Sequence, residues 1–299
     1  MSPLARFAIV SLTAMTTGSA SGQYAVDVVD YEPGTGVNSG YDQPTAALGE
    51  PTRMSGIPDV LPSTVTPFQP AYMPGEIVTI GLGGSITLEF SDPIYDDPAN
   101  PFGIDLLIFG NAFFTSTSNN TPCTNAIYDE GGIIEVSLDG EQFIPIDGVS
   151  ADGLFPTMGY RDAAAFAIQP GVEETDFLLP VNPTHAAALL DGLCWEELLE
   201  IYDGSGGGTP IDLAPTGLTS IRFVRITVPK DAVFLPELDA IADVAPVVEA
   251  DINRDGTVNG ADLTLLLSAW GSADVLADLD QDGTVTGSDL TILLSAWSA

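Results

Sequence analysis

One short sentence of residues occurs twice near the end of this 299-residue chain. The first copy is Asp251-Ile-Asn253-Arg-Asp255-Gly256-Thr257-Val-Asn259-Gly-Ala-Asp262. The second is Asp278-Leu-Asp280-Gln-Asp282-Gly283-Thr284-Val-Thr286-Gly-Ser-Asp289. Each copy sets oxygen-bearing side chains at loop positions 1, 3, 5, 9 and 12 and a glycine at position 6. A hard cation that takes six to eight oxygen ligands is wrapped in this way, the glycine permitting the sharp turn. Position 7, Thr257 or Thr284, supplies a main-chain carbonyl in such a loop. Two acidic turns that bind nothing leave the repeated spacing unexplained. The pattern therefore predicts two Ca²⁺ sites, with ligands Asp251, Asn253, Asp255, Thr257, Asn259 and Asp262 in the first. Asp278, Asp280, Asp282, Thr284, Thr286 and Asp289 make the second.

Each loop runs into a helical pattern. Leu263, Leu266, Leu267 and Trp270 fall at i, i+3, i+4 and i+7, and Leu290, Leu293, Leu294 and Trp297 repeat the stripe. Both stripes are expected to face inward, one helix against the other. About fifty residues seldom bury enough apolar surface to stand alone, so the metal acts as a staple. The first loop holds three carboxylates and the second four, so the second is expected to bind more tightly.

The loop-helix duplication resembles a dockerin of the type I, EF-hand-like kind, over roughly residues 249–299. That resemblance implies a Ca²⁺-dependent module that docks secreted proteins onto cohesin receptors, here a cohesin-like or cell-envelope receptor. Two features set it apart from an ordinary EF-hand. Position 12 is Asp rather than Glu, and Pro246-Val-Val-Glu-Ala250 is too short and β-branched for an entering helix. At positions 10 and 11, where dockerins often contact cohesin, the chain has Gly260-Ala261 and Gly287-Ser288. Leu267-Ser268 and Leu294-Ser295 replace the basic pair usual midway along the helix.

The first 22 residues read as a secretory signal peptide. Arg6 precedes a short apolar stretch, and Ala20-Ser-Gly22 offers small residues for cleavage before Gln23. No later apolar run is long enough to span a bilayer, so a secreted or cell-surface protein is expected. Seven basic residues against forty-two acidic ones give a formal net charge of −35. Without a basic patch, nucleic acid is excluded as a partner and anionic membranes are disfavoured. Cys123 and Cys194 are expected to form a disulfide rather than remain free in an oxidising space.

Between residues 23 and 245 short apolar runs alternate with turn residues, which predicts one antiparallel β-sandwich domain. Ser85–Ser91 alternates, with Ile86, Leu88 and Phe90 inward and Thr87 and Glu89 outward. Residues 104–110 are apolar throughout, as in a strand covered on both faces. Residues 133–138 lead into Asp139-Gly140, a hairpin signal, with a return strand over 142–146. Strands are also expected at 221–228 and 238–244. Residues 38–74 read as long irregular loops. Helix formers over about 184–202 predict a helical insertion, capped by Thr184 and interrupted at Gly192. Residues 246–250 read as the linker to a small α-helical tail, 251–299.

The succession of segments from about residue 76 to 245 is similar to secreted bacterial surface modules of the galactose-binding-like jelly-roll type, found in carbohydrate-binding domains. Gly83–Phe90, Asp105–Phe113, Glu135–Gly140, Ile211–Ala214, Arg222–Ile226 and Leu238–Ile241 carry that likeness. It implies a jelly-roll sandwich, a glycan ligand and one more Ca²⁺ at a sandwich edge. Asp105, Asn111, Glu135, Asp212 and Asp239 are the candidate ligands, solvated turn carboxylates being the alternative. Tyr41, Tyr72, Phe113, Phe114 and Tyr160 are candidate stacking platforms.

Catalytic signatures are absent from the sequence. Pairs such as Glu173-Glu174 and Glu196-Glu197 carry no information in so acidic a chain, and no Gly-x-Ser-x-Gly elbow occurs. His185 is the sole histidine, which rules out two-histidine metal sites, and it is expected exposed at a helix start. The leading expectation is a non-catalytic binding or structural protein. A polysaccharide-degrading glycoside hydrolase and a surface-layer or matrix protein are the alternatives.

Overall fold

A strand whose side chains alternate must turn one face to the core. Ile86, Leu88 and Phe90 are fully buried. They belong to a longer strand than the alternation suggests, Ser85–Tyr95. The structure, a computed structural model, describes residues 23–297 apart from 59, 117, 119–120, 191, 245–249, 254–256, 275 and 281–282. The expected signal peptide, most of the expected linker, Asp255 and Asp282 lie outside the described residues.

In chain order the strands are β1 (Asp27–Glu32), β2 (Met54–Ile57), β3 (Leu61–Thr64), β4 (Val78–Thr79), β5 (Ser85–Tyr95), β6 (Leu106–Gly110) and β7 (Phe113–Ser116). There follow β8 (Thr124–Tyr128), β9 (Ile133–Ser137), β10 (Ile144–Ile146), β11 (Thr209–Ile211), β12 (Ser220–Thr227) and β13 (Glu237–Asp243). Two antiparallel sheets, β1-β5-β12-β9-β10 and β11-β6-β13-β4, form the layers of a sandwich. Their facing side chains build one core. Ile86, Leu88, Phe90, Ile134, Val136, Val224 and Ile226 come from one sheet, and Val78, Leu106, Ile108, Leu238 and Ile241 from the other. Each such side chain contributes on the order of 1.5–3 kcal/mol.

The apolar run around β6 has the expected cause. Leu106 and Ile108 enter the central core, while Leu107 and Phe109 pack outward with Phe177, Ala240 and Ala242. Phe109 and Phe177 meet edge to face at 5.3 Å. Thr87, expected outward, is buried, flanked on β5 by Asp30 of β1 and Arg225 of β12.

Asp139-Gly140 turns the chain between β9 and β10, but not as a two-residue hairpin. The Asp139 carboxylate accepts from the backbone N–H groups of Glu141 and Gln142, each at 2.9 Å, and from the Ser137 hydroxyl at 3.1 Å. This local turn occupies more residues, so the return strand begins at Ile144. Residues 38–74, expected to be irregular, contain the β2–β3 hairpin and a 3₁₀ turn at Pro44–Ala47. Gly56 makes the hairpin feasible. Its φ is +88°, and a Cβ there would lie 2.2 Å from the Leu61 carbonyl oxygen.

The helical insertion is divided. A 3₁₀ run, Pro183–Leu190, precedes Gly192 at φ +83°, and a helix, α1 (Trp195–Tyr202), follows. Asn182 rather than Thr184 caps the first part, accepting from the Thr184 N–H at 3.0 Å and its hydroxyl at 2.8 Å. His185 in that run is half-buried, not exposed. Phe68, Phe114, Phe155, Met158, Trp195, Leu198 and Tyr202 form a second, aromatic-rich core beneath these segments. Cys123 and Cys194 are bonded, with Cα atoms 3.8 Å apart. Cys194 also starts α1, its N–H donating to the Glu197 carboxylate at 2.8 Å.

The bond closes a loop with a sequence separation of 71 residues, so it removes chain entropy from the unfolded state. Paired Cys123→Ser and Cys194→Ser substitution is expected to lower the unfolding free energy by about 4 kcal/mol. Denaturant unfolding of the oxidised parent and the double variant measures the difference.

Candidate functional site

In each tail repeat the aspartate at loop position 12 doubles as part of a helix cap. Helices α2 (Gly260–Ser268) and α3 (Gly287–Ser295) begin directly after loop position 9. The Asn259 side-chain oxygen Oδ1 accepts from Ala261 N at 2.8 Å, and the Thr286 hydroxyl accepts from Ser288 N at 3.3 Å. Asp262 and Asp289, at position 12, are fully buried and occupy the third helical position. Asp262 accepts from Asn259 N at 2.9 Å and Asn253 N at 3.1 Å. Asp289 accepts from Thr286 N at 2.6 Å and Asp280 N at 3.1 Å. One carboxylate thus ties loop positions 3, 9 and 12 together while capping the helix. The Thr286 N–H, followed by other backbone donors, holds the Asp289 carboxyl below its ordinary range.

Asp278, Asp280 and Asp289 each bring one oxygen within 4.8 Å of the others. Gly283, at position 6 with φ +93°, donates its N–H to Asp278 at 2.8 Å. In the first loop the Asn259 amide donates to the Thr257 carbonyl at 3.0 Å and its hydroxyl at 2.9 Å. Val258 and Val285, at position 8, are buried with Ala250, Leu266, Ala277, Leu279 and Leu293. The Gly271 N–H donates to the Val285 carbonyl and the Val285 N–H to the Ser272 carbonyl, both at 2.9 Å. Oxygen donors, one buried carboxylate and a braced loop fit a Ca²⁺ ion.

The helix stripes differ from expectation. Leu266 and Leu293 are buried and Leu263 and Leu290 partly so, yet Leu267, Trp270, Leu294 and Trp297 are 51%, 48%, 52% and 41% exposed. The buried aspartate in the first turn sets the inward face. From it, positions four and seven residues on are Leu266 and Ala269, or Leu293 and Ala296, and these reach the core.

The five sandwich candidates do not converge. Asp105 and Asn111 flank β6 at its two ends, and a five-residue strand spans roughly 17 Å. Asp105 is buried and lies beside Asp212, with Asp96 as a third member that the sequence reading missed. Glu135 is held by Arg225 through two hydrogen bonds of 2.8 and 2.9 Å on the outer face of the other sheet. Asp239 is buried and accepts from the Thr52 N–H at 2.9 Å and hydroxyl at 3.0 Å. Asn111 reaches Asp152 and Glu237; with its amide turned so that the nitrogen faces these carboxyls, it donates to each at 3.2 Å.

Asp152, Glu237 and Glu130 form a further group whose oxygens lie within 4.8 Å of one another. Asp152 accepts from Ala112 N at 2.8 Å, and Gly110 leaves room for it, because a Cβ there would lie 2.5 Å from the carboxylate. Beside this group Phe113 stacks on Tyr128 at 5.3 Å, and Phe234 meets Tyr128 edge-on. Tyr128 and Phe234 are exposed rings that the sequence reading did not single out. Phe114, a candidate platform, is instead a core residue. Tyr72 is exposed, its carbonyl accepting from the Tyr41 hydroxyl at 2.7 Å, and Tyr160 is half-buried.

Residues 249–296 match the family model of the dockerin type I domain. The chain therefore carries such a domain, of a class that binds calcium and docks cohesins. No curated protein matches the chain. Among the described residues no helix is long and apolar enough to cross a membrane.

Burial raises the carboxyls of the sandwich. Asp239 and Asp243 are pushed up to about 7, Asp243 also by the charge of Asp105. Asp152 is pushed up to about 8 by burial and then by the Glu130 charge. Glu237 reaches about 9, through burial first and then its hydrogen bond to Glu130. The folded chain keeps protons on these groups where the unfolded chain, titrating near 4, has lost them. Their contribution to stability is complete below about pH 4 and is lost as pH rises through about 7 to 9. In chelator, the melting temperature of the sandwich is expected to fall between about pH 5 and about pH 9. A midpoint that stays level or climbs over that range contradicts the assignment.

Proposed function

We propose that the chain is a secreted, non-catalytic binding or structural protein. Its sandwich, residues 23–245, associates with glycan, and its tail, residues 251–299, docks onto a cohesin-like or cell-envelope receptor when two Ca²⁺ ions are bound. The observation that carries this reading is the repeated, fully buried position-12 aspartate, which links a set of oxygen donors to a helix start in both copies. The twelve loop residues from Asp251 to Asp262 and from Asp278 to Asp289 named above are the ligands in this reading. Exposed Leu267, Trp270, Leu294 and Trp297 support a docking role, since apolar side chains left on so small a module suit a partner's surface. The exposed rings of Tyr72, Tyr128 and Phe234 support a glycan-facing body.

Calorimetric titration of the full chain is expected to show two tail ions, the second loop filling first because it holds one more carboxylate. Asp289→Ala removes a ligand and leaves the N–H groups of Thr286 and Asp280 without their acceptor. It is expected to weaken that ion at least tenfold, or about 1.4 kcal/mol, and to reduce helical circular dichroism in the tail. Unchanged heat and dichroism in chelator contradict the reading. Binding to a glycan array without reducing-sugar release separates the body's proposed role from hydrolysis.

A further inference from the structure

β10 ends one sheet and β11 ends the other, and a cavity of about 320 Å³ lies between these two edge strands. Ile146 of β10, Ile211 of β11, Ile104 and Phe155 line its apolar interior. Ile146 and Ile211 pack in the central core, Phe155 in the aromatic-rich core, and Ile104 with Phe109 and Phe177. Three packed regions meet here and leave space between them, whereas protein interiors seldom hold voids larger than a water molecule.

The edges restrict what enters. Pro145 and Pro210 stand at the middle of the two strands. A proline on an edge strand turns the side without an N–H outward, so neither edge offers the donor that an added strand needs. A small molecule is the occupant that remains. An apolar void of about 150 Å³ admits benzene, so this larger one admits a ring with a short chain. The charged side chains lining it are Asp147 and Asp212, with no arginine, lysine or histidine among the described lining residues. Both aspartates are exposed while Ile104, Phe155 and Ile211 are buried, so negative charge lies at the mouth and apolar surface inside. The Ala214 N–H donates to Asp212 Oδ1 at 2.8 Å and fixes that carboxylate. With a formal net charge of −35 on the chain, anions are repelled and cations drawn in.

Phe155 carries a second observation. Its backbone is left-handed, with φ +55°, a conformation that residues with bulky side chains rarely adopt. The Gly208 N–H donates to the Phe155 carbonyl at 2.7 Å, and a Cβ on Gly207 would lie 2.7 Å from that same oxygen. Two glycines thus hold the strained turn, and Tyr202 meets the Phe155 ring edge-on at 6.4 Å. Strain that the surroundings keep in place concentrates where ligands are clamped. Here it sets Phe155 in the cavity wall.

We propose that this cavity binds a small organic amine, its ring or short chain inside and its ammonium group at Asp147 and Asp212. The mouth selects for charge and the interior for an apolar body of matching size. The site is separate from the exposed rings and from the tail, so it stands whether or not the glycan and docking readings hold.

Isoleucine-methyl NMR of the full chain in Ca²⁺-containing buffer tests it, with 2-phenylethylamine as the probe. The amine is expected to shift the methyls of Ile104, Ile146 and Ile211 saturably. 3-Phenylpropionate, with the same ring and chain but a carboxylate, is expected to bind at least tenfold more weakly. Ammonium chloride, a cation without the apolar body, is expected to leave these methyls unmoved. Asp147→Asn with Asp212→Asn is expected to weaken the amine at least tenfold. Val149→Phe, which fills the cavity and keeps both carboxylates, is expected to abolish binding and serves where the first variant disturbs the fold. The proposal is overturned if the amine moves none of the three methyls or still binds both variants. It is equally overturned if 3-phenylpropionate binds as well as the amine, which makes the cavity a void without charge selection. Equal shifts with ammonium chloride overturn it too, since they reflect only general attraction to an acidic chain.

Discussion

Buried negative charge is the constraint around which this molecule is organised. Asp105, Asp152, Asp239, Asp262 and Asp289 all lie inside, in a chain with only seven basic residues. A buried carboxylate without a partner is too costly to persist. The described arginines are engaged with glutamates, at Glu50, Glu89, Glu135, Glu173 and Glu174. The buried aspartates are held by backbone N–H groups instead: Leu213 and Asp97 for Asp105, Ala112 for Asp152, Thr52 for Asp239. Each of these bonds fastens a loop to a strand end, so the acids serve as rivets for the connections that the sheets leave loose. Where backbone donors do not balance the charge, a proton or a metal ion must.

That constraint acts at both ends of β6. At the Asp152 end, Glu237 and Asp152 are raised toward the neutral form, and the Asn111 amide bridges them. At the Asp105 end burial raises the carboxyl as well, the charge of Asp96 adds to that, and the N–H donors of Asp97, Leu213 and Asn100 act the other way. Both acidic groups thus meet the cost of burial with backbone donors and a raised carboxyl, and they differ in how many donors reach the buried aspartate.

Much of the sandwich was legible from the chain because strand periodicity is local. Ile86, Leu88 and Phe90 announced an inward face, and the unbroken apolar run through Leu106–Phe109 announced two. The β2–β3 hairpin was hidden. Gly56 and Pro62 look like loop residues, and only the close approach of Gly56 to Leu61 shows why a glycine sits in a strand. The loops of the dockerin-type tail were legible for the same local reason, all their oxygen-bearing positions falling within twelve residues. The sandwich acids were not, since meeting there depends on which strand ends coincide. That Asp105 and Asn111 could not meet follows from the length of the strand between them. That Asp96 and Asn100 join Asp105 follows from how residues 96–104 fold back, which no spacing rule announces.

The position-12 aspartates show why loop and helix in the tail form one unit. A glutamate there would add a methylene to a fully buried site, where extra volume forces neighbours off their rotamers. Aspartate fits and still reaches the N–H groups of positions 3 and 9. Its charge also faces the positive end of the helix it caps. With these donors Asp289 supports a folded helix start by itself, and the lowering of its carboxyl reflects that. Asp278 and Asp280 each bring an oxygen within 4.8 Å of it and of each other, so their mutual repulsion opposes the closed loop. That repulsion falls on the first half of the second loop, whereas the cap that position 12 provides stands on backbone donors.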